Sequence, residues 1–221
     1  MRLVPDPFLA KKEPNKLKEI TIVPRRAEKN MEKIDSKLCS NKIEGALLGR
    51  FAGCTFGSPV EFWEIPRMEK LAKENAHSFP PKDSCKYVPD PFGVRYQMAE
   101  RQTYTRKKMD GVPFDDNIVY TLLGLLTVEK YGANFTVAKN GKSWIKSLPH
   151  ACTTEKIALK NLKKGIPTEK VADENNPFCE RIDADIRSDP WGYIAPRWSE
   201  KAADMAYWDT FLTHRHPRDL W

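Results

Sequence analysis

The fold of this chain is decided by one strongly apolar stretch, which reads Asp115-Asp116-Asn117-Ile118-Val119-Tyr120-Thr121-Leu122-Leu123-Gly124-Leu125-Leu126-Thr127-Val128. Its apolar residues recur from Ile118 at the i, i+1, i+4, i+5, i+7 and i+8 spacing of one side of an α-helix. The pattern stops at Gly132, a residue type that commonly follows the end of a helix. The stretch therefore predicts an apolar helix with two acids at its N-terminal end.

Other segments of the chain carry the same helical spacing. They begin near Asn41, at Thr136, at Thr153 or Thr154, and near Ser199. Asn41 can cap the first of them with Glu44 at the third position, and the small and apolar residues that follow predict that this helix is buried. Because no convincing run alternates with period two, the sequence predicts an all-α fold.

The composition is that of one globular domain with a basic extension. The chain has 221 residues, of which 40% are hydrophobic, and this is enough to bury a core. Residues 1–40 hold ten Lys and Arg against six Asp and Glu, a net charge of 10 − 6 = +4 out of a total of +7. Rich in proline and poor in periodicity, they predict a flexible extension over 1–40, ahead of a domain over 41–221. Charged leaders are usually solvated, so we do not expect nucleic acid as a partner.

The sequence also bears on compartment and association. No window approaches the roughly 18 consecutive apolar residues of a membrane helix, and the N-terminus lacks the apolar core of a signal peptide. Five widely spaced cysteines, an odd number, fit reduced thiols better than disulfides or zinc ligands. We therefore expect a cytoplasmic monomer with no membrane partner. Because the last helical pattern runs almost to Trp221, we also expect that a longer domain has been cut short.

A long irregular stretch lies between about Pro80 and Pro113. It is rich in Pro, Gly, Tyr and Arg, which makes it too irregular for long elements and too aromatic for disorder. Structureless stretches of this length in compact domains are usually functional or disordered. We predict an ordered loop that covers a pocket.

The acidic pair Asp115 and Asp116 is the strongest chemical feature of the sequence. Unpaired backbone N–H groups and the helix dipole stabilise negative charge at a helix start, so one acid could simply cap the helix. A cap needs only one acid, however. Two adjacent carboxylates followed by Asn117 place three oxygen-bearing side chains in a row, a set that suits a hard cation such as Mg²⁺.

Several other polar residues are weaker candidates. Glu61, flanked by apolar residues, is either a general base or a solvated loop acid. Asp209 shares the apolar side of the last helix, where an acid usually binds a partner group or serves a site. A lone histidine such as His214 is more often structural than catalytic, while Asp185 and Arg187 could hold a ligand or simply each other.

Three ordered blocks of the sequence carry a family resemblance. The first is Glu44-Gly45-Ala46-Leu47-Leu48-Gly49-Arg50-Phe51-Ala52-Gly53-Cys54-Thr55-Phe56-Gly57-Ser58-Pro59-Val60-Glu61-Phe62, and the second is Asp115-Asp116-Asn117-Ile118. The third begins Ile182-Asp183-Ala184-Asp185-Ile186-Arg187 and continues through Trp191-Gly192-Tyr193 to Thr213-His214. Over about residues 41 to 216, these blocks together resemble the ADP-ribosylglycohydrolase family.

The resemblance implies a fold, a reaction and a site. The fold is an orthogonal multi-helix bundle, here incomplete at the C-terminus, and the reaction is hydrolysis of an ADP-ribosyl N- or O-glycosidic bond in an ADP-ribosylated substrate or an ADP-ribose-like small molecule. Two Mg²⁺ ions serve the family's site, with Asp115, Asp116 and Asn117 as the matching ligands on one side. Glu61 would orient or activate water, and Asp116 would act with it in catalysis. The residues that would bind substrate are Asp185, Arg187, Trp191, Gly192, Tyr193 and His214.

Departures from the family pattern leave other functions open. Asn117 is an amide where a carboxylate is common, Asp183 replaces a glycine, and the second acidic cluster that completes the metal pair has no counterpart before Trp221. A catalytically impaired module that binds ADP-ribose is therefore the alternative to an enzyme. In a third interpretation, the basic leader docks nucleic acid or a protein partner.

Overall fold

The computed structural model describes residues 35–95, 98–179 and 181–214. Seven α-helices and a single two-stranded hairpin occur in these residues, which confirms the predicted all-α class. The chain divides into two compact units, one covering Asp35–Val119 and one beginning at Tyr120. The predicted extension lies outside the described residues as far as residue 34.

The first unit contains two helices, a short hairpin and two 3₁₀ turns. In chain order they are α1 (Ser36–Gly57), a 3₁₀ turn (Ser58–Val60), α2 (Ile65–Glu74), β1 (Val94–Arg95), β2 (Ala99–Glu100) and a second 3₁₀ turn (Arg101–Tyr104). The two strands are antiparallel, with Val94 opposite Glu100. Helix α3 (Asp116–Tyr131) begins in this unit and continues past Tyr120.

The start of α1 corrects a prediction. The helix begins at Ser36, and the Asp35 side chain accepts hydrogen bonds from the backbone N–H groups of Lys37 and Leu38, at 2.9 and 3.1 Å. Asn41, the predicted cap, is therefore inside the helix, and residues 36–40 belong to the folded unit rather than to an extension. An aspartate carboxylate accepts such bonds readily, and its charge is favourable at a helix N-terminus.

The predicted burial of α1 is wrong. Thr55 is its only buried residue, and large apolar side chains such as Leu48 (59% exposed) and Phe56 (40%) face outward. The apolar residues of α1 are distributed around the helix rather than along one side. A single packing neighbour within Asp35–Val119 can therefore cover only part of them.

The long stretch from Pro80 to Pro113 is ordered in its described residues, as predicted. Tyr104 is fully buried, and its hydroxyl donates a hydrogen bond to the backbone oxygen of Phe114 at 2.6 Å. Val88 joins Trp63 and Leu71 in the hydrophobic core of this unit. The loop is thus fastened both to the core and to the residue that precedes the acidic pair, while the pocket beneath it stays a prediction.

The second unit contains the remaining helices. They are the rest of α3, then α4 (Val137–Ser147), α5 (Thr153–Lys163), a 3₁₀ turn (Ile182–Arg187), α6 (Asp189–Ile194) and α7 (Ser199–Thr210). The predicted starts are confirmed, and the Thr136 hydroxyl caps α4 by accepting from the Lys139 N–H group. Helix α7 ends at Thr210, earlier than its apolar pattern suggested.

One core cluster holds the second unit together. Phe135, Trp191, Ala195 and Met205 are buried against one another, with the Phe135 and Trp191 ring centroids 5.3 Å apart. Gly132 follows the end of α3, as predicted, and has φ at +76°. Residues that carry a side chain rarely adopt this backbone conformation. The five cysteines are thiols rather than halves of disulfides. None of the described helices combines the length and the apolar character that crossing a membrane requires.

Gly124 of α3 is the glycine most tightly packed against another helix. A Cβ at this position would lie 2.8 Å from Pro190 Cγ and 3.2 Å from Trp191 Cη2, whereas a Cβ at Gly45 of α1 would meet nothing within 4 Å. Gly124→Ala should lower the free energy of unfolding by about 1 kcal/mol, because overpacking costs about 1–3 kcal/mol and the gain in helix propensity offsets roughly 1 kcal/mol.

Gly45→Ala is the matched control. It should raise the free energy of unfolding by about 0.5–1 kcal/mol, since an open helical position gains propensity without a clash. Urea unfolding followed by circular dichroism measures both values. A Gly124→Ala protein at least as stable as Gly45→Ala would contradict the packing described for α3 and α6.

Candidate functional site

Asp115 is a buried carboxylate immediately before α3. It is 1% exposed, and one of its oxygens, Oδ2, accepts a hydrogen bond from the Ser58 hydroxyl at 3.1 Å. The other oxygen, Oδ1, accepts from the backbone N–H of Asn117 at 3.0 Å and from the side-chain Nδ2 of Asn117 at 2.9 Å. A buried charge must be compensated by hydrogen bonds or opposite charge, and these donors fix the direction of both carboxylate oxygens.

Asn117 brings the two carboxylates of the acidic pair to one point. Its Nδ2 lies 2.9 Å from Asp115 Oδ1 and 3.3 Å from Asp116 Oδ1. The oxygen and nitrogen of an amide exchange places when the group turns by half a rotation. In this orientation the side-chain amide of Asn117 donates to both acids. After a half rotation the amide would instead present its oxygen where the two carboxylate oxygens converge.

Arg50 of α1 and Ser58 of the turn that follows α1 hold this cluster in place. Nε and Nη2 of Arg50 donate to the backbone oxygen of Asn117 at 3.3 and 3.1 Å. The Ser58 hydroxyl lies 2.6 Å from the Cys54 carbonyl as well as near Asp115. The acidic pair therefore sits on the junction of α1, the Ser58–Val60 turn and α3, within one compact unit.

Glu61 follows directly after the turn that carries Ser58. It is half-buried, and the residue after it, Phe62, has φ at +62° with a side chain that is 85% exposed. A positive φ in a bulky residue costs roughly 1–2 kcal/mol and is concentrated at functional sites. Arg101 Nη1 donates to the Pro59 carbonyl at 3.1 Å and supports the turn. The structure thus places Glu61 between a turn that Arg101 supports and a residue with a strained backbone, Phe62.

The oxygen donors of the acidic pair suit magnesium better than a softer ion. Mg²⁺ is commonly held by one or two carboxylates and keeps several waters, and Asp115, Asp116 and the amide oxygen of Asn117 provide such a set. Within residues 35–95, 98–179 and 181–214, no group of three or more His, Cys, Asp and Glu side chains forms a metal cluster. A magnesium ion at the acidic pair is therefore a proposal that rests on Asp115, Asp116 and Asn117 alone.

A second polar cluster, inside the second unit, is built around Arg187. Its side chain is 2% exposed; Nε donates to Asp209 Oδ2 at 2.8 Å, Nη1 to Glu155 Oε1, and Nη2 to the Thr213 hydroxyl at 2.7 Å. Asp209 Oδ1 also accepts from Asn140 Nδ2 at 2.8 Å. The predicted position of Asp209 on the apolar side of α7 is confirmed, and its partner is this guanidinium.

The cluster contains two buried carboxyl groups, Glu155 and Asp209, and one buried guanidinium, Arg187. Burial raises the pKa of Glu155 to about 8, although the charge of Arg187 opposes the shift, and the nearby Asp183 adds to it. Burial alone would lower the pKa of Arg187, but attraction by Asp209 and Glu155 outweighs it and raises that pKa. One guanidinium can compensate only one of its two buried carboxylates, so Glu155 takes up a proton near neutral pH.

His214 extends the cluster by hydrogen bonds. Its Nε2 lies 2.6 Å from the Arg181 carbonyl, which can only accept, so Nε2 carries the hydrogen. The remaining nitrogen, Nδ1, can then accept the Thr213 hydroxyl hydrogen over 2.7 Å. Burial, and then the charge of Arg187, lower the pKa of His214 to about 3. The imidazole is therefore neutral at neutral pH.

One known protein family matches most of the chain. The family model for ADP-ribosylglycohydrolase matches residues 35–221, from the cap of α1 onward. The chain belongs to the ADP-ribosylglycohydrolase family. This membership confirms the resemblance and indicates a hydrolase of the glycohydrolase type. No curated protein and no solved structure matches the chain.

The predicted substrate-binding residues of this family member fall into two groups. Arg187, Trp191 and His214 are each 2% exposed, and Asp185, Gly192 and Tyr193 are exposed or half-buried. Trp191 packs in the hydrophobic core, and the polar groups of Arg187 and His214 are engaged by protein atoms. Contact of these three residues with a ligand stays a prediction.

Sequence reasoning missed Glu155, the second acid on Arg187. It precedes Ala158, Leu159 and Leu162 at helical spacing, and all four are buried. An acid on the buried side of a helix is the same signal that singled out Asp209.

Asp183, which replaces a family glycine, accepts a hydrogen bond from the Thr153 hydroxyl at 2.5 Å. Its other oxygen is buried with no hydrogen-bond partner in the described residues.

The raised pKa of Glu155 predicts how stability changes with pH. A carboxyl whose pKa rises from 4.5 to about 8 on folding contributes stability that is fully present below pH 4.5 and is lost as the pH rises towards 8. Glu155→Gln keeps a neutral group in place. The free energy of unfolding of the wild-type chain, minus that of Glu155→Gln, should therefore fall steadily between pH 4.5 and pH 8.

Urea unfolding at several pH values measures this difference. His214 gives the opposite trend, since a pKa lowered to about 3 makes stability fall as the pH drops below 6.5, but it does so equally in both proteins. Glu129→Gln, which removes an exposed carboxylate of α3, should keep the wild-type pH dependence. A wild-type and Glu155→Gln pair with parallel pH profiles would contradict a protonated Glu155.

Proposed function

We propose that this chain is a Mg²⁺-dependent hydrolase that cleaves an ADP-ribosyl N- or O-glycosidic bond. The observation that carries the proposal is the convergence of Asp115, Asp116 and Asn117 at the start of α3, with the amide of Asn117 within 2.9 and 3.3 Å of one oxygen of each acid. Family membership supports the glycohydrolase class. The ligand set is our inference from this geometry, and the bond cleaved is our inference from the family.

The acidic pair and Asn117 would hold the ion by their side-chain oxygens. When bound, Mg²⁺ would polarise a substrate or water oxygen and offset negative charge that develops in the transition state. Ser58 and Arg50 position this set, since the Ser58 hydroxyl holds Asp115 Oδ2 and the Arg50 guanidinium holds the backbone of Asn117.

Glu61 is proposed to activate the attacking water. As general base, its carboxylate takes a proton from water while the water oxygen bonds to C1 of the ribose that is attached to the modified group. The bond from C1 to the nitrogen or oxygen of the modified group breaks at the same carbon, and the departing atom takes up a proton. The products are ADP-ribose with a hydroxyl at C1 and the unmodified acceptor. The strained backbone at Phe62 supports this role by fixing the direction of the preceding residue.

Recognition of the ADP-ribosyl group is proposed for the accessible residues of the third sequence block. Gly192 is exposed and Tyr193 is half-buried at the end of α6, and Asp185 is exposed in the preceding 3₁₀ turn. An aromatic ring, a backbone without a side chain and a carboxylate suit stacking and hydrogen bonding to a nucleotide. Arg187 and His214 act as positioning residues beneath them.

An ADP-ribose-binding module with impaired catalysis is the second candidate. The observation in its favour is that the Asn117 amide group, a neutral donor, lies against both acids at the position where a carboxylate is common in the family. Such a module would bind ADP-ribose and leave the glycosidic bond intact.

Release of ADP-ribose from an ADP-ribosyl-arginine peptide and an ADP-ribosyl-serine peptide tests the two candidates. The full chain should release ADP-ribose with Mg²⁺ and lose this activity in EDTA. Asp116→Ala should lower the rate by about 10²-fold or more, because a preorganised electrostatic contact of this kind is worth that much. Asp110→Ala removes an exposed acid of the preceding loop and should leave the rate unchanged.

The possible results separate the candidates. Equal rates with Mg²⁺ and EDTA, or full activity in Asp116→Ala, would contradict the metal-dependent enzyme. ADP-ribose binding by calorimetry, with no release from either peptide, would favour the binding module. Circular dichroism of both variants establishes that a reduced rate does not come from unfolding.

A further inference from the structure

Helices α4 and α5 and the turn between them have a net positive charge nearly as large as that of the whole chain. Residues 136–165 contain seven lysines and one acid, a net charge of 7 − 1 = +6, compared with +7 for the whole chain. The one acid is Glu155, which is buried against Arg187. The exposed surface of this helical hairpin therefore carries lysines and no carboxylate from its own residues.

The lysines form two rows, one on each helix. They lie three or four residues apart, or next to each other at the end, and all are exposed: Lys139, Lys142 and Lys146 on α4, and Lys156, Lys160, Lys163 and Lys164 on α5 and its C-terminal cap. Residues at this spacing share one side of a helix. Each row lies opposite the buried side of its helix, so both rows face solvent.

The two helices are close neighbours. A Cβ at Gly141 of α4 would lie 3.0 Å from Cδ2 of Leu162 of α5, so their backbones approach tightly. At 1.5 Å per residue, the row on α4 is about 10 Å long and that on α5 about 12 Å. We name these seven side chains the lysine surface.

Helix stability does not account for the lysine surface. A cation is favourable in the last turn of a helix, where Lys146, Lys160 and Lys163 lie, but unfavourable in the first turn. Lys139 is the third residue of α4, and Lys156 the fourth of α5. Nor do ion pairs account for it, because none of the seven ammonium groups pairs with a carboxylate of the described residues.

We propose that the lysine surface binds the phosphodiester backbone of a nucleic acid. Duplex DNA carries about one negative charge per 1.7 Å of axis, so a row 10–12 Å long spans roughly six to seven phosphate charges, enough for each of its three or four lysines to meet one. An ammonium group is a point charge that suits phosphate oxygens of any orientation, and recognition by lysine alone carries no base specificity.

Other anionic partners fit the surface less well. A helix that lies in an anionic bilayer combines its basic residues with large apolar side chains that insert. Ile145, 45% exposed, is the one large apolar side chain exposed on α4 or α5 within the described residues. Planar, bidentate recognition of protein carboxylates favours arginine, and these two helices contain none. The expectation that nucleic acid is not a partner considered only the charges of residues 1–40.

Fluorescence anisotropy with a labelled, mixed-sequence DNA duplex tests the proposal on the full chain. The wild type should bind at low salt, and log K should fall steeply with log salt concentration. In the variant K142Q/K146Q/K160Q/K163Q, affinity at low salt should fall at least about tenfold. The slope should become shallower by roughly 3 to 4, near 0.9 for each phosphate that is no longer neutralised.

The matched control is K37Q/K42Q/K73Q/K82Q, which removes four exposed lysines of the first unit and gives the same net charge. It should keep the wild-type affinity and slope. Absence of duplex binding by the wild type, or equal reductions in the two variants, would overturn the proposal. Binding to phosphatidylserine vesicles that depends on the lysine surface, with duplex binding unchanged in the first variant, would assign the surface to membranes instead. Circular dichroism confirms that both variants are folded.

Discussion

A charge that leaves water must be compensated inside the protein, and the buried guanidinium of Arg187 is where this constraint is most severe. Its acceptors come from α5, from α7 and from the residues that follow α7: Glu155, Asp209 and Thr213. Asn140 of α4 holds Asp209 in turn. A single cation thus requires three helices to take fixed positions, and the polar cluster specifies how this unit is packed. Such clusters contribute more reliably to a unique arrangement than to net stability, because desolvation of the charges offsets much of their attraction.

In the first unit the buried charge that must be compensated is negative, not positive. There two acids converge, and the donors that reach them are a hydroxyl, a backbone N–H and an amide. Neutral donors fix the direction of carboxylates without themselves supplying an opposite charge. The buried cluster of the second unit pairs its carboxylates with a guanidinium, whereas the donors named here for the acidic pair are neutral. This contrast is why we place the proposed chemistry at Asp115 and Asp116.

The sequence predicted the helices well because their apolar spacing is local information. Helix α3 and its end at Gly132 followed from periodicity and a glycine. The cap of α1 was misplaced because Asp35 and Asn41 are both good caps, and only the path of the chain decides between them. The exposure of Leu48 depends on what packs beside α1 and was not readable from its composition.

The candidate site was predictable in part for a related reason. Asp115, Asp116 and Asn117 are adjacent in sequence, so their proximity was assured. The burial of Arg187 and its pairing with Glu155 join residues 32 positions apart, which no local pattern reveals. The lysine surface emerged only when helix boundaries showed which side of α4 and α5 is buried.

Direct binding of a divalent ion tests the central claim, that the acidic pair and Asn117 form an oxygen-ligand metal site. Mn²⁺ prefers the same oxygen ligands as Mg²⁺ and can be followed by electron paramagnetic resonance. Titration of the full chain should show one bound Mn²⁺ that excess Mg²⁺ displaces, and this binding should disappear in Asp115→Asn/Asp116→Asn while the helical circular dichroism is retained. Absence of bound Mn²⁺ in the wild-type chain, or equal binding by the double variant, would contradict the account.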